Sequence, residues 1–516
     1  MSACCGTRSA SGARRPKGRG SPATRAHQRC TSTVSTETTA RLVAAAPPDA
    51  VFAVTDRHGV VTYGRQHARL HAAAASLAAQ GVRQGDRVHV SLPNGQEFLD
   101  VWFATAHLGA ILVPTNPNST SDEFGHVLAD AQPRVSIADG EAAEKLRGHP
   151  VLTPGELAGE GHVPAAPVTG GDPAAILYTS GTTSRPKGVV ITHDNYTAVG
   201  RAVAGQLAVT AADRWFIALP LFHANAQYYC TMSALVRSAS VAVADRFSAS
   251  RWGIQAARFG ATLGSLFAAP IRMILTNPPA DGEARLRTVL FAQNLSDRQA
   301  TEFEHRFATR LVQLYGMTET VLPPTMNPDT EQRRWNSIGR TLPGVTITLA
   351  DDDGNPVPDG EAGEIQVHGR LGDTIANGYW HNPVATADTF GDGVLRTGDL
   401  ARRDADGFLY FVDRAKDMIK RSGENVSAGE IERVAGEHPA IAECAVVGVP
   451  DPVYDEAVLL VAVVVPGATA DAEDIIAWCA ERLAAFKVPA RVHFLSTLPR
   501  TSVGKIRKAD LRSLLN

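Results

Sequence analysis

No stretch of this sequence is long and apolar enough to span a bilayer. The run Ala457–Val465 is of strand length, well short of the roughly 18 residues a spanning helix needs. Charge of one sign is also missing: 50 basic and 53 acidic residues leave a net charge of -3, so no overall field points to nucleic acid. The six cysteines, three of them at Cys4, Cys5 and Cys30, form no CxxC pair. That excludes a disulfide framework and a cysteine zinc site, and fits a reducing compartment, the cytoplasm. The first 35 residues lack acids altogether: Arg8, Arg14, Arg15, Lys17, Arg19, Arg25 and Arg29 precede the first carboxylate, Glu37. With no apolar segment after them, they read as a disordered basic tail over 1–35 and not as a secretory signal.

What is present is a globular composition, 44 % hydrophobic and 20 % charged, in a chain of 516 residues, too long for one core. The pattern predicts alternating helices and strands. Gln66–Gln80 and Glu97–His107 read as helices, each followed by a strand, at Arg87–Val90 and Ala110–Pro114. The alternation continues through helices at Asp194–Leu207 and Asn225–Val236. Strands are expected at Trp215–Leu219, Val241–Ala244, Thr262–Leu266, Thr288–Phe291 and Leu311–Tyr315. From Gly344 the texture turns to short strands, at Val345–Leu349 and Glu364–Val367. The last hundred residues read as a separate unit. It has helices at Ser427–Glu437 and Ala472–Ala485, and strands at Glu443–Val449, Val458–Val465 and Arg491–Leu495. Ser427 followed by Glu430 is a capping-box signature. Helix–strand alternation with few hairpin signals predicts a sheet covered on both faces.

The chemistry centres on Tyr178–Gly188, YTSGTTSRPKG, which follows the apolar run Ala174–Leu177. A strand ending in this segment becomes a loop rich in hydroxyls and amides. Gly181 and Gly188 allow backbone angles closed to other residues, successive N–H groups can surround an anion, and Lys187 adds a point charge suited to phosphate. The loop ends in Lys-Gly and lacks the hydroxyl that follows the lysine of the common P-loop.

This segment resembles the phosphate-binding loop of the adenylate-forming superfamily, which includes acyl- and aryl-CoA synthetases, luciferases and the adenylation domains of peptide synthetases. Five more stretches match that family in its order: LPLFH (219–223), YGMTET (315–320), RTGDL (396–400), VDRAKDMIKRSGENVSAGEIE (412–432) and LPRTSVGKIRK (498–508). Together they cover the chain from about residue 50 to its end. The texture is most similar to stand-alone crotonobetaine/carnitine-type and fatty acyl-CoA ligases.

The resemblance implies an α/β protein. A large N-terminal domain of layered sheets with flanking helices and a small β-rich subdomain (36–413) precedes a small mobile α+β C-terminal domain (414–516). It implies an AMP-forming acid–CoA ligase that uses ATP and Mg2+ to make an acyl-adenylate and then passes the acyl group to CoA. Thr179, Ser180, Gly181, Thr182, Thr183 and Lys187 would hold the β- and γ-phosphates. Thr318 would bind the α-phosphate, Glu319 the metal, Asp399 and Arg414 the ribose, and Tyr315 would stack beside adenine. Lys505 would bridge the carboxylate and the α-phosphate, and Lys416 would be the hinge. Ser422, Gly423 and Glu424 would face the adenylate and the pantetheine channel, and His223 would position substrate or admit the thiol.

The sequence departs from the family where a run of small residues usually precedes YGMTET; here Gln293 and Asn294 stand in that place. With His223, Gln227, Tyr228, Gln293 and Gly316 assigned to the acyl pocket, the two amides imply either a more polar pocket than a fatty acid needs or a different course of the loop, and the bulk of Gln227, Tyr228, Tyr229 and Cys230 points to a small carboxylic acid. An alternative acceptor, a carrier protein or a non-thiol nucleophile, stays open. No nucleic acid or membrane partner is expected, and the protein is expected to be a monomer or homodimer.

Overall fold

A computed structural model describes residues 35–179, 186–414, 417–421, 424–451, 455–500 and 506–515. The basic tail, Ser180, Gly181, Thr182 and Thr183, the expected hinge Lys416, Ser422, Gly423 and Lys505 lie outside them.

Among the described residues the strands form three sheets. The largest has a parallel centre, in spatial order Val51–Thr55, Ser240–Val243, Arg214–Ile217, Leu263–Phe267, Thr288–Ala292 and Arg310–Tyr315. Beyond Tyr315 it continues antiparallel, through Thr325–Met326, Gly339–Thr341, Phe408–Arg414, Val394–Arg403 and Ala362–His368 to Thr346–Ala350. A second sheet runs Val151–Leu152, Val135–Ala138, Arg87–Ser91, Ile111–Pro114, Pro173–Thr179 and Lys187–Thr192, parallel except for its last pair. The expected helix–strand alternation is present, with the helices Tyr63–Ala79 and Gln96–His107 packed together over a continuous apolar core. Buried on both faces, these parallel strands carry near-continuous apolar runs.

Two features differ from expectation. The segment after Tyr178 does not lead straight to the next helix: Lys187–Thr192 returns antiparallel on Pro173–Thr179, with Thr179 opposite Lys187 and Tyr178 opposite Gly188. The described ends of the YTSGTTSRPKG segment, Tyr178–Thr179 and Lys187–Gly188, therefore lie on two paired antiparallel strands. Gly188 stands in a strand and is not among the glycines with positive φ, so its need is room and not backbone angle. A Cβ there would come within 2.6 Å of Ile176 Cγ2 and 3.2 Å of Tyr178 Cζ. Second, the apolar helix after Asn225 is wound as a π-helix over Ala226–Met232, a form that recurs at functional sites.

The C-terminal sheet joins Glu424–Val426, Ile419–Arg421, Asp455–Val464 and Ile441–Asp451, with Arg491–Phe494 parallel to Asp455–Val464. Its apolar residues, from Ile419 to Leu511, cluster separately from those of the preceding 400 or so residues. Ser427 caps its helix by accepting from Glu430 N, but the Glu430 carboxylate pairs with Lys487 at 2.7 Å instead of closing the capping box. The helix predicted over Ala472–Ala485 stops at Ala480.

Candidate active site

The site lies where the parallel strands end. Arg310–Tyr315 delivers Tyr315 and then the turn Gly316–Thr320, which Thr320 closes by accepting from Met317 N and donating to Met317 O. Val321, next in the chain and fully buried, is held at φ 58, a conformation β-branched residues avoid. Such strain persists only where the surroundings fix it, and it fixes the direction of the turn.

Tyr315 donates to Asp399 Oδ2 at 2.7 Å, and Arg414 Nε lies 3.2 Å from Asp399 Oδ1. Burial, with the Asp399 charge beside it, pushes the Tyr315 phenol far up, so it stays a donor. Asp399 and Arg414 are opposite one another on paired strands, which explains how residues 15 apart in sequence meet. Three predicted nucleotide residues thus form one cluster, with Asp399 only 6 % exposed.

Glu319 is 5 % exposed, and its Oε1 accepts from the Tyr379 hydroxyl at 3.0 Å. The ammonium of Lys187 sits 4.7 Å from the centre of the Tyr379 ring. The segment carrying Tyr379 lies along the Lys187–Thr192 strand: Asn377 N donates to Val190 O, Val190 N to Gly378 O, and Trp380 N to Gly188 O at 2.7 Å. Tyr178, at the base of the hairpin, donates to Asp130 Oδ2. Tyr379 is absent from the sequence-based assignments; its only local signal is an aromatic after Gly378, outside the six matched motifs. Among the described residues no group of three His, Cys, Asp or Glu is placed to hold a metal ion. A single buried carboxylate fits magnesium, which takes one or two protein oxygens and completes its shell with phosphate and water.

The acyl-pocket assignments divide. His223 is half-buried, with its ring 4.5 Å from that of Phe222. Gly316 is overhung by Tyr229, whose hydroxyl would lie 2.9 Å from a Cβ at that position. Gln227 does not present its amide as expected. It is fully buried, accepts from the Tyr196 hydroxyl and donates to Leu221 O at 2.7 Å, so both ends are committed to the scaffold. Tyr228 is also fully buried, with its hydroxyl 3.4 Å from Thr318 O. Gln293 is exposed, at φ 73, with its carbonyl accepting from Gln313 Nε2.

Residues 41–380 match the family of AMP-binding enzymes, and residues 430–505 match the AMP-binding enzyme C-terminal domain. The chain belongs to the AMP-binding enzymes. Over 461 residues it is 38 % identical to the crotonobetaine/carnitine–CoA ligase of Shigella dysenteriae, covering 84 % of this chain and 89 % of that one. ATP-bound MatB from Rhodopseudomonas palustris superposes with a TM-score of 0.85 at 29 % identity, covering 92 % of this chain and 98 % of that chain. The o-succinylbenzoate CoA synthetase of Bacillus subtilis, solved with its acyl-adenylate, gives 0.82 at 29 % identity over the same shares. The expected superfamily, the α/β fold with a smaller C-terminal α+β region, and the ATP-dependent, AMP-forming acid–CoA ligase activity are borne out. No helix among the described residues is long and apolar enough to cross a membrane.

Proposed function

We propose that this enzyme activates a small carboxylic acid and passes it to free CoA, with 36–413 as the adenylation domain and 414–516 as the C-terminal domain. The observation that carries the residue assignment is the Tyr315–Asp399–Arg414 cluster, built where a parallel sheet ends. In that reading Asp399 and Arg414 take the ribose, Tyr315 stands beside the adenine, and Thr318 meets the α-phosphate. Lys187 and Thr179, with Ser180, Gly181, Thr182 and Thr183, take the β- and γ-phosphates. Glu319 holds magnesium, which when bound neutralises phosphate charge and so lowers the barrier to attack on the α-phosphorus. Lys505 brings the acid and the α-phosphate together; after Lys416 turns, Ser422, Gly423 and Glu424 line the thiol's approach.

Support for a small acid comes from the pocket side. Tyr229 overhangs Gly316, and the buried ring of Tyr228 lies 6.3 Å from that of Tyr229. The similar proteins carry names that refer to crotonobetaine, carnitine and o-succinylbenzoate. In this reading the exposed amide of Gln293 meets a polar group that the acid carries beyond its carboxylate. An amide–substrate hydrogen bond contributes about 1 kcal/mol, so Gln293→Ala should cut the preference for a hydroxylated or aminated acid over its plain analogue about fivefold. The test is kcat/KM for such pairs, and for unbranched acids of rising length, in parent and Gln293→Ala. Equal rates for long and short acids would remove the small-pocket reading, and an unchanged ratio would remove Gln293 from the site. Transfer to a carrier protein at a higher rate than to CoA would replace the acceptor.

A further inference from the structure

Lys187 and Glu319 carry opposite charges and both face Tyr379, the ammonium over the ring and the carboxylate at the hydroxyl. A cation and an anion meant for one incoming metal–nucleotide complex have an obvious competitor in each other. A direct pair would neutralise the charge that should meet phosphate and occupy the oxygens that should meet metal. A phenol avoids this, because its face attracts a cation while its hydroxyl donates to an anion.

We propose that Tyr379 is a positioning residue that keeps Lys187 and Glu319 apart and aimed, the lysine toward phosphate and the carboxylate toward magnesium. This rests on the nucleotide-site reading above. Several observations besides the two contacts support it. Tyr379 is 9 % exposed, its backbone is fixed beside the hairpin by the bonds of Gly378 and Trp380, and Tyr379 N is held by Thr386 Oγ1 at 2.9 Å. Trp380 Nε1 reaches Asp130 O, the residue whose carboxylate takes the Tyr178 hydroxyl, so the same segment anchors the base of the hairpin. The backbone on the other side is tied as well, since Ala376 N donates to Glu319 O at 3.0 Å. Tyr379 touches no reacting atom; its effect runs through the two residues it holds.

The experiment is calorimetric titration of the full chain with ATP, once in EDTA and once with saturating magnesium. Tyr379→Phe keeps the ring and removes one oxygen. It should leave affinity for metal-free ATP within about twofold and reduce the gain from magnesium about tenfold, the loss of one hydrogen bond to a charged group. Tyr379→Leu removes the ring too, and should weaken metal-free ATP about three- to fivefold as well. Glu319→Gln is the control. If it retains the full magnesium gain, the nucleotide-site reading fails and the inference with it. If Glu319→Gln loses the gain while Tyr379→Phe keeps it, the site stands and the role of Tyr379 falls. A residue that only supports the fold would lower both affinities in the same proportion in both variants, and that result also overturns the proposal. Should Tyr379→Leu not fold, Tyr379→Phe alone decides.

Discussion

The Tyr315 hydroxyl donates to Asp399 at 2.7 Å across 84 residues of sequence, and ties the end of a central parallel strand to a strand of the antiparallel extension. The bond joins the two halves of the large sheet at the point where the nucleotide is proposed to bind. Removing the hydroxyl leaves a buried carboxylate short of a donor, at a cost of about 1–3 kcal/mol. Tyr315→Phe should therefore lower the urea midpoint and weaken ATP binding about tenfold, while leaving the KM for the acid nearly unchanged. A large change in acid KM with ATP affinity intact would place Tyr315 on the wrong side of the site.

Gln227 gives the opposite kind of prediction. Its amide is spent on Tyr196 and on Leu221 O. Gln227→Leu orphans both partners in the core and should cost about 1–3 kcal/mol of stability. Ratios of kcat/KM between polar and apolar acids should stay as in the parent. A shift in those ratios without loss of stability would return Gln227 to the pocket.

These two residues show how far the sequence could be read. Tyr315, Asp399 and Arg414 are legible because each stands in a motif whose chemistry needs its functional group, and the structure brings all three together. Gln227 and Gly188 were misread for one reason: composition says what a side chain can do, not which neighbour reaches it first. The glutamine met a tyrosine and a carbonyl before it could meet substrate, and the glycine met Ile176 and not a turn. The helix-covered sheet was legible from helix–strand alternation; that its centre is parallel is shown by the strand pairings. The return strand Lys187–Thr192 was not, because its partner is found only across the loop. Tyr379 was silent because its role comes from the charges on either side of it, which sequence distance hides.

Three histidines predict the response to acid. His89 is buried between Ser136 Oγ and Thr115 Oγ1, and desolvation pulls its pKa down to about 3. Burial likewise lowers His193 to about 4; for His71 burial, then the neighbouring His107, His67 and His162, lower it to about 4. Each folded value lies below the unfolded value of about 6.5, so the unfolded chain binds more protons between them. Their contribution is complete above about pH 6.5 and is lost as pH falls toward about 4. Urea midpoints should be flat above about pH 7 and fall steadily from about pH 6.5 to about pH 5, with a shallower slope in His71→Gln. A midpoint constant down to about pH 5 would contradict the assignment of imidazoles kept neutral by the fold.

Lys505 separates the two half-reactions. If it acts only where acid and ATP meet, Lys505→Ala should reduce acyl-adenylate formation by a factor of about a hundred or more, as expected for a charge acting on a transition state. Thioester formation from synthetic acyl-adenylate and CoA should stay within about threefold of the parent. Equal losses in both assays would show that the lysine serves both steps, or neither.

Splitting of ATP between its α- and β-phosphates activates an acid that ends on CoA. It is tested most directly by counting products from the purified chain given ATP, magnesium, CoA and a panel of small carboxylic acids. AMP, pyrophosphate and acyl-CoA should form in equal amounts with at least one acid, and pyrophosphate should exchange into ATP when CoA is withheld. ADP and phosphate in place of AMP and pyrophosphate, or pyrophosphate released with no thiol consumed, would contradict it.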